Sequence, residues 1–235
     1  MNFSTIGILG GMGPEATREC FDSIIRHTPA DLDQEHIPVL VYSNPQIPDR
    51  TESILGEGEN PLPYLERSAR KLEDAGANFL VVPCNTAHYF LGGIRKAVNI
   101  EVLNMIEETL SLLKSGARAG LLATKGTIKT GVYEEYSGEG VEIVTPSSRK
   151  QAVVMDVIYG KNGIKAGYKN EKLKDELLGV IDSLREKGVN AIIAGCTEIR
   201  LVLKDSDLEG VDLLTPIDVI AEKAVRKARR AEEVS

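Results

Sequence analysis

Cysteine is scarce in this 235-residue chain: there are three, Cys20, Cys84 and Cys196. A sparse, odd count without a secretion signal excludes a disulfide framework and makes reduced thiols in a cytoplasmic setting the expectation. None of the three belongs to a CxxC pair, and structural zinc wants four ligands, so no metal site is expected. No apolar run approaches the length of a membrane span. The opening MNFSTIGILGGMG has neither the charged start nor the apolar length of a signal peptide. Positive charge is not in excess either. A formal net charge of −7 argues against nucleic acid or an anionic membrane as the main partner. The basic cluster in VRKARRAEEVS reads as a helix end whose cations face the negative pole.

What is present is an ordinary globular composition, 42% hydrophobic and 27% charged, long enough for one large domain or two of usual size. Short β-rich runs alternate with longer amphipathic stretches, the pattern of an α/β protein with mainly parallel strands. Strands are expected at Thr5–Leu9, Pro38–Tyr42, Asn78–Val82, Glu101–Leu103, Ala119–Ala123, Val141–Val144 and Ala191–Ala194. Helices are expected at Pro14–His27, Pro63–Ala75, Ile106–Ser115, Lys150–Tyr159, Glu171–Lys187 and Pro216–Arg230. The first helix carries Ala16, Cys20, Phe21, Ile24 and Ile25 on one stripe, which makes Cys20 a core residue. The last has Thr215 as N-cap, Pro216 at its first position and Asp218 as a capping-box acid.

An internal repeat organises these elements. LEDAGANFLVVPCNTA and LREKGVNAIIAGCTEI align without gaps, so that Leu72 matches Leu184, Gly76 Gly188, Asn78 Asn190 and Cys84 Cys196. A second echo links GILGGMG at Gly7 to GLLATKGT at Gly120. Two half-chains built on one α/β unit would produce both. The expected layout is a first domain of residues 1–98 plus 215–235, its last helix returning to it, and a second of residues 99–214. The two domains would be pseudo-symmetric, with the active site in the cleft between them.

In open parallel sheets, ligands bind beyond the carboxyl ends of the strands. Cys84 and Cys196 each follow such a strand and are each followed by hydrogen-bonding groups, Asn85-Thr86 and Thr197-Glu198. A single cysteine in such a turn is commonly a small buried residue; two at repeat-equivalent positions point to chemistry. Thiols on opposite sides of one small ligand suit a specific reaction, in which a thiolate takes a proton from carbon and the opposite thiol returns one to the other face. A thiol's pKa of about 8.5, lowered at a helix N-terminus, suits such exchange. His88 lies four residues past Cys84, and either tuning the thiol or a structural role is open to it.

The loop GGMGPEA fits G-x-G-x-x-A after a strand, yet the acidic ribose ligand of a dinucleotide site is missing where VLVYSNPQIPDR ends the second strand. Close backbone approach to a small anion is the better use of these glycines. Two cations stand on loops near the expected active face: Arg50 after NPQIPD, and Lys165 within NGIKAG.

Together GILGGMGP, NPQIPDRT, PCNTAH, GLLATKGT and IIAGCTE resemble the aspartate/glutamate racemase family, in particular its aspartate racemase branch, over nearly the whole chain. The resemblance implies catalysis without pyridoxal phosphate or any other cofactor, Cys84 and Cys196 as opposed acid and base, a two-domain α/β fold and a homodimer. It also implies contacts to the amino-acid head at Met12, Gln46, Asn85, Thr86 and Thr197, with Thr124 and Thr127 as further candidates. Arg50 and Lys165 would meet a side-chain carboxylate. Glutamate racemases usually carry Asp-Ser after the first strand and His after the second Cys-Thr. Here those places hold Gly10-Gly11 and Glu198, which counts against the cell-wall glutamate racemase.

The resulting expectation is a racemase of aspartate, with glutamate as a further substrate. A rival keeping the fold and thiols would racemise hydantoins or isomerise maleate-like substrates, and the neutral ring of a hydantoin would have no use for Arg50 and Lys165. A rival from another class is a non-catalytic amino-acid-binding protein, in which both thiols would be dispensable.

Overall fold

The computed structural model describes residues 3–230. It contains two four-stranded, all-parallel sheets flanked by helices, and the chain divides into two compact units. The first unit holds the described residues up to Glu108 and those from Ile217 onward; the second is Thr109–Pro216. The boundary anticipated near Asn99 falls short of this division, because the strand at Glu101–Val102 pairs with Phe79–Val81 and so belongs to the first sheet.

The first unit runs β1 (Ile6–Gly10), α1 (Pro14–His27), β2 (Val39–Ser43), α2 (Arg50–Leu55), α3 (Leu62–Asp74), β3 (Phe79–Val81), α4 (Leu91–Ala97), β4 (Glu101–Val102) and the start of α5 (Met105–Leu110). Its sheet order is β2-β1-β3-β4. Every residue of β1 and β3 is buried, as expected for central strands covered on both faces. Alternation assigns the faces. Ile6, Ile8, Phe79 and Val81 pack with Ala16, Cys20 and Ile24 of α1, and with Ile217, Ile220, Ala221 and Ala224 of the C-terminal helix. Leu9, Leu80 and Val82 share a separate cluster with Leu65, Ala69 and Leu72 of α3 and Leu91 and Ile94 of α4. Phe21 and Ile25, placed on the buried stripe of α1 from sequence, are instead exposed. They sit one residue beyond Cys20 and Ile24, which turns them about 100° around the helix.

The second unit completes α5 and continues with β5 (Arg118–Leu122), α6 (Lys125–Thr130), α7 (Val132–Glu135), β6 (Glu142–Val144), α8 (Ser148–Tyr159), α9 (Glu171–Arg185), β7 (Ala191–Ala194) and β8 (Asp212–Leu214). Its sheet order, β6-β5-β7-β8, repeats that of the first. Leu122, Ile192 and Ala194 pack on Val154, Val157 and Ile158 of α8 and on Leu177, Ile181 and Leu184 of α9. The last helix, α10 (Pro216–Arg230), begins at the division, and its Asp218 accepts hydrogen bonds from Ser23 and Arg26 of α1.

The repeat extends to single hydrogen bonds. Asn78 Oδ1 accepts from the Thr5 N–H at 2.7 Å, and Asn190 Oδ1 accepts from the Arg118 N–H at 3.0 Å. In each sheet the chain leaves the central first strand toward one neighbour and later returns to its other side. That reversal is a topological switch point, and it lies at the carboxyl ends of β1 and β3 and of β5 and β7. Among the described residues, no helix is long and apolar enough to cross a membrane.

Candidate active site

Beyond β1 the chain turns at Gly11, whose φ of +99° suits glycine alone. A Cβ there would stand 2.3 Å from the backbone of Asn44. Thr17 of α1 fixes the turn: its hydroxyl accepts from the Gly11 N–H at 2.8 Å and donates to the Gly13 carbonyl at 2.9 Å. Met12 is buried in the same apolar cluster as Ile47 and Cys84. Arg50, the first residue of α2, is also buried. Its guanidinium donates to the carbonyls of Ile47 at 3.3 Å, Pro48 at 3.0 Å and Met12 at 3.3 Å. The side chain expected to meet a substrate carboxylate therefore also ties the NPQIP loop to the glycine turn. Gln46 lies on that loop with an exposed side chain, and its N–H donates to Asn44 Oδ1 at 3.2 Å.

Cys84 follows β3 beside this turn, 5% exposed, with Asn85 and Thr86 buried after it. His88 fastens the loop. The Met105 N–H donates to His88 Nε2 at 3.1 Å, which leaves Nδ1 protonated to donate to the Cys84 carbonyl at 2.8 Å. Burial pushes this imidazole down to about 4, and nearby Arg95 pushes the same way against the Cys84 carbonyl bond. His88 is thus a neutral strut that sets the backbone of Cys84.

In the second unit the loop after β5 holds Thr124 as the N-cap of α6. Its hydroxyl accepts from the Thr127 N–H at 3.2 Å and lies 3.2 Å from the Thr127 hydroxyl. Gln151 of α8 donates to the Ala123 carbonyl at 2.8 Å, pinning the same strand end. Cys196 follows β7, as Cys84 follows β3, but its surroundings are charged. Its thiol donates to Glu198 Oε2 at 3.1 Å, and the Thr197 hydroxyl donates to the same oxygen at 3.0 Å. Lys165 Nζ stands 2.6 Å from Glu198 Oε1.

The protonation states follow from this arrangement. Burial alone would raise the Glu198 carboxyl, but Lys165 overrides it and holds the group below its ordinary value. Burial also opposes the Lys165 charge, and Glu198 overrides that and holds the amine above its ordinary value. Burial first, and then the Glu198 carboxylate, raise the Cys196 thiol well above the usual range, with Lys165 offsetting part of the rise. The ground state is a protonated thiol hydrogen-bonded to an ion pair.

Within the first unit, then, Met12, Arg50, Asn85 and Thr86 gather with Cys84 at one switch point. Within the second, Thr124, Thr127, Lys165 and Thr197 gather with Cys196 at the other. Lys165 is engaged by Glu198, and the Thr197 hydroxyl is turned to the same carboxylate. Glu198, noted from sequence as a hydrogen-bonding group after Cys196 and as a departure from a related motif, is the hub of the second cluster. Its signal was its place, equivalent in the repeat to Thr86. Among the described residues, no group of three His, Cys, Asp or Glu side chains could hold a metal ion. A separate hollow of about 500 Å³, lined by Ser4, Asn78, Phe79, Glu101, Lys223 and Arg226 among others, lies at the amino ends of the first sheet's strands, away from Cys84.

Buried thiols beside hydroxyl and amide groups at strand ends can move a proton to and from carbon and hold the charge that develops. The chain is similar to known proteins in sequence and in architecture. The sequence model for Asp/Glu/hydantoin racemases matches residues 9–224. A Bacillus subtilis broad specificity amino-acid racemase is 29% identical over 84% of this chain and 87% of its own. The solved structure of Picrophilus torridus aspartate racemase superposes with a TM-score of 0.83 at 27% identity, covering 96% of this chain and 94% of that one. The glutamate racemase of Francisella tularensis shares the fold, with a TM-score of 0.72 at 18% identity over 100% of this chain and 84% of its own.

Proposed function

The chain belongs to the Asp/Glu/hydantoin racemase family, and we propose that it interconverts L- and D-aspartate without a cofactor, using Cys84 and Cys196 as its two acid–base groups. One observation carries this reading: two thiols leave equivalent strands of two identically ordered sheets, each at a switch point. In each turnover one sulfur, as thiolate, takes the α-proton; the C–H bond breaks and an S–H bond forms. The other thiol gives its proton to the opposite face of the carbanion and becomes the thiolate. The reverse reaction exchanges the roles.

The α-proton of an amino acid is very weakly acidic, so the carbanion needs preorganised donors. Asn85, Thr86, Thr124 and Thr127, all buried beside the strand ends, are the groups proposed for this. Aspartate is the first choice of substrate because the aspartate racemase of Picrophilus torridus superposes on nearly the whole chain. The test is incubation in deuterated water with each enantiomer of aspartate and no pyridoxal phosphate. Deuterium at Cα with inversion is expected; no exchange with any acidic amino acid would overturn the proposal.

A second reading, a wider range of side chains, is favoured by one observation. Lys165 is taken by Glu198, and Arg50 bonds three backbone carbonyls. The Bacillus subtilis relative is itself described as having broad specificity. Comparing kcat/KM for aspartate with that for neutral amino acids separates the two: comparable values support the wider range, and a large preference for aspartate supports the narrower.

A further inference from the structure

The repeat makes the two thiols equivalent in position, but not in charge. Thr86 stands two residues after Cys84, and its counterpart two residues after Cys196 is Glu198. One cysteine is therefore followed by a hydroxyl and the other by a carboxylate that accepts its thiol proton at 3.1 Å. That carboxylate is 5% exposed and is held in place by Lys165 at 2.6 Å and by the Thr197 hydroxyl at 3.0 Å. Lys165 is itself steadied over the Tyr159 ring, 5.5 Å from its centroid.

We propose that Glu198, braced by Lys165, is a positioning residue that sets Cys196 as the proton-bearing thiol of the resting enzyme. Cys84 then takes the first proton from substrate, and Cys196 supplies the returning one. This deepens the two-thiol reading above and rests on it. The step balances: the substrate C–H bond breaks as the Cys84 S–H bond forms, and the Cys196 S–H bond breaks as the new C–H bond forms on the opposite face. Cys196 is left as a thiolate beside a carboxylate, a costly arrangement that Lys165 relieves only in part. The resting enzyme is restored when Cys196 regains a proton and Cys84 gives one up, by exchange with solvent or in turning over a substrate of opposite hand. The fold has thereby made one hand of substrate the preferred starting point in an otherwise symmetric frame.

The charged and titratable groups that act on Cys196 are Glu198 from its own turn, Lys165 from the turn at Ile164–Ala166 and Tyr133 from α7. Burial, then the field of Cys196, raises the Tyr133 phenol well above its ordinary value, so it stays neutral. Glu198 and Lys165 are the two charges that matter, and they act in opposite directions.

The experiment follows alkylation of each thiol by iodoacetamide against pH, read by mass spectrometry. Cys196 lies in the tryptic peptide 188–200 and Cys84 in the peptide 72–95. In Glu198→Gln the acceptor oxygen and volume remain while the charge is lost and Lys165 is unmasked. The Cys196 midpoint should fall by about one pH unit or more, with Cys84 unmoved. Lys165→Met should move the Cys196 midpoint the opposite way, which keeps the test readable if the first variant folds poorly. In Glu198→Gln, Cα exchange should also slow more for one enantiomer than for the other. A Cys196 midpoint unchanged by either substitution, or one that shifts together with that of Cys84, would overturn the proposal. The thiol titrations need no substrate, so failure of the racemase reading would appear separately, as absence of Cα exchange in the wild type.

Discussion

The loops that carry Cys84 and Cys196 begin alike and are secured differently. Each leaves a fully buried parallel strand, and the residue six before each thiol, Asn78 or Asn190, clamps the neighbouring strand with the same hydrogen bond. Past the thiol they diverge. The first loop is held by a neutral histidine bridging the Cys84 carbonyl to the Met105 N–H. The second is held by a carboxylate–ammonium pair that touches the sulfur itself. A neutral strut fixes the backbone and adds no charge at the thiol, whereas an ion pair fixes the loop and sets the thiol's protonation. The repeat places the two thiols alike, and the residue two positions downstream, Thr86 or Glu198, makes their surroundings unequal.

Replacing either thiol by serine should have the largest effect, a loss of racemisation of about 10³-fold or more in a coupled or polarimetric assay. Equal loss from both variants keeps the two loops functionally matched; loss from one alone breaks the comparison. Next comes Lys165→Met, which strands the buried Glu198 carboxylate. It should cost about 3 kcal/mol in urea unfolding, since removing one partner of a buried pair exposes the desolvation of the other.

His88→Ala should cost about 2 kcal/mol through two unmade buried hydrogen bonds. It should also change the pH dependence of stability. The folded imidazole titrates at about 4 against 6.5 for the free group, so protons favour the unfolded chain. The contribution of neutral His88 is complete above pH 6.5 and is lost as pH falls toward 4, worth roughly 3 kcal/mol. Unfolding curves of the wild type should show that loss, and those of His88→Ala should lack it. The second unit contains no histidine, so no imidazole there contributes to this limb. The smallest expected effects compare the loops after β1 and β5. Thr17→Val and Thr124→Val should each cost about 1 kcal/mol by thermal or chemical unfolding, one through the glycine turn and the other through a helix N-cap.

Much of this frame was legible in the sequence because burial writes itself into composition. The runs FLVV and AIIA are apolar throughout since both faces of a central parallel strand are covered, and their gapless echo located both thiols. The strand Asp212–Leu214 escaped notice, since three residues at a sheet edge give no period. The short helices Arg50–Leu55 and Lys125–Thr130 also escaped, because Asp49 and Thr124 caps define them more than any apolar stripe. At the site, individual residue types were readable and their pairing was not. Lys165 and Glu198 are far apart in sequence, and a cation in a glycine-flanked loop looks the same whether it awaits a ligand or already holds a carboxylate.

The central claim, that Cys84 and Cys196 work on opposite faces of one substrate, is tested most directly by Cα exchange in deuterated water with Cys84→Ser and Cys196→Ser. Each variant retains one thiol, so each is expected to exchange deuterium into only one enantiomer, with the two variants choosing opposite hands and neither inverting the centre. Exchange from both hands in either variant, or from the same hand in both, would contradict the account.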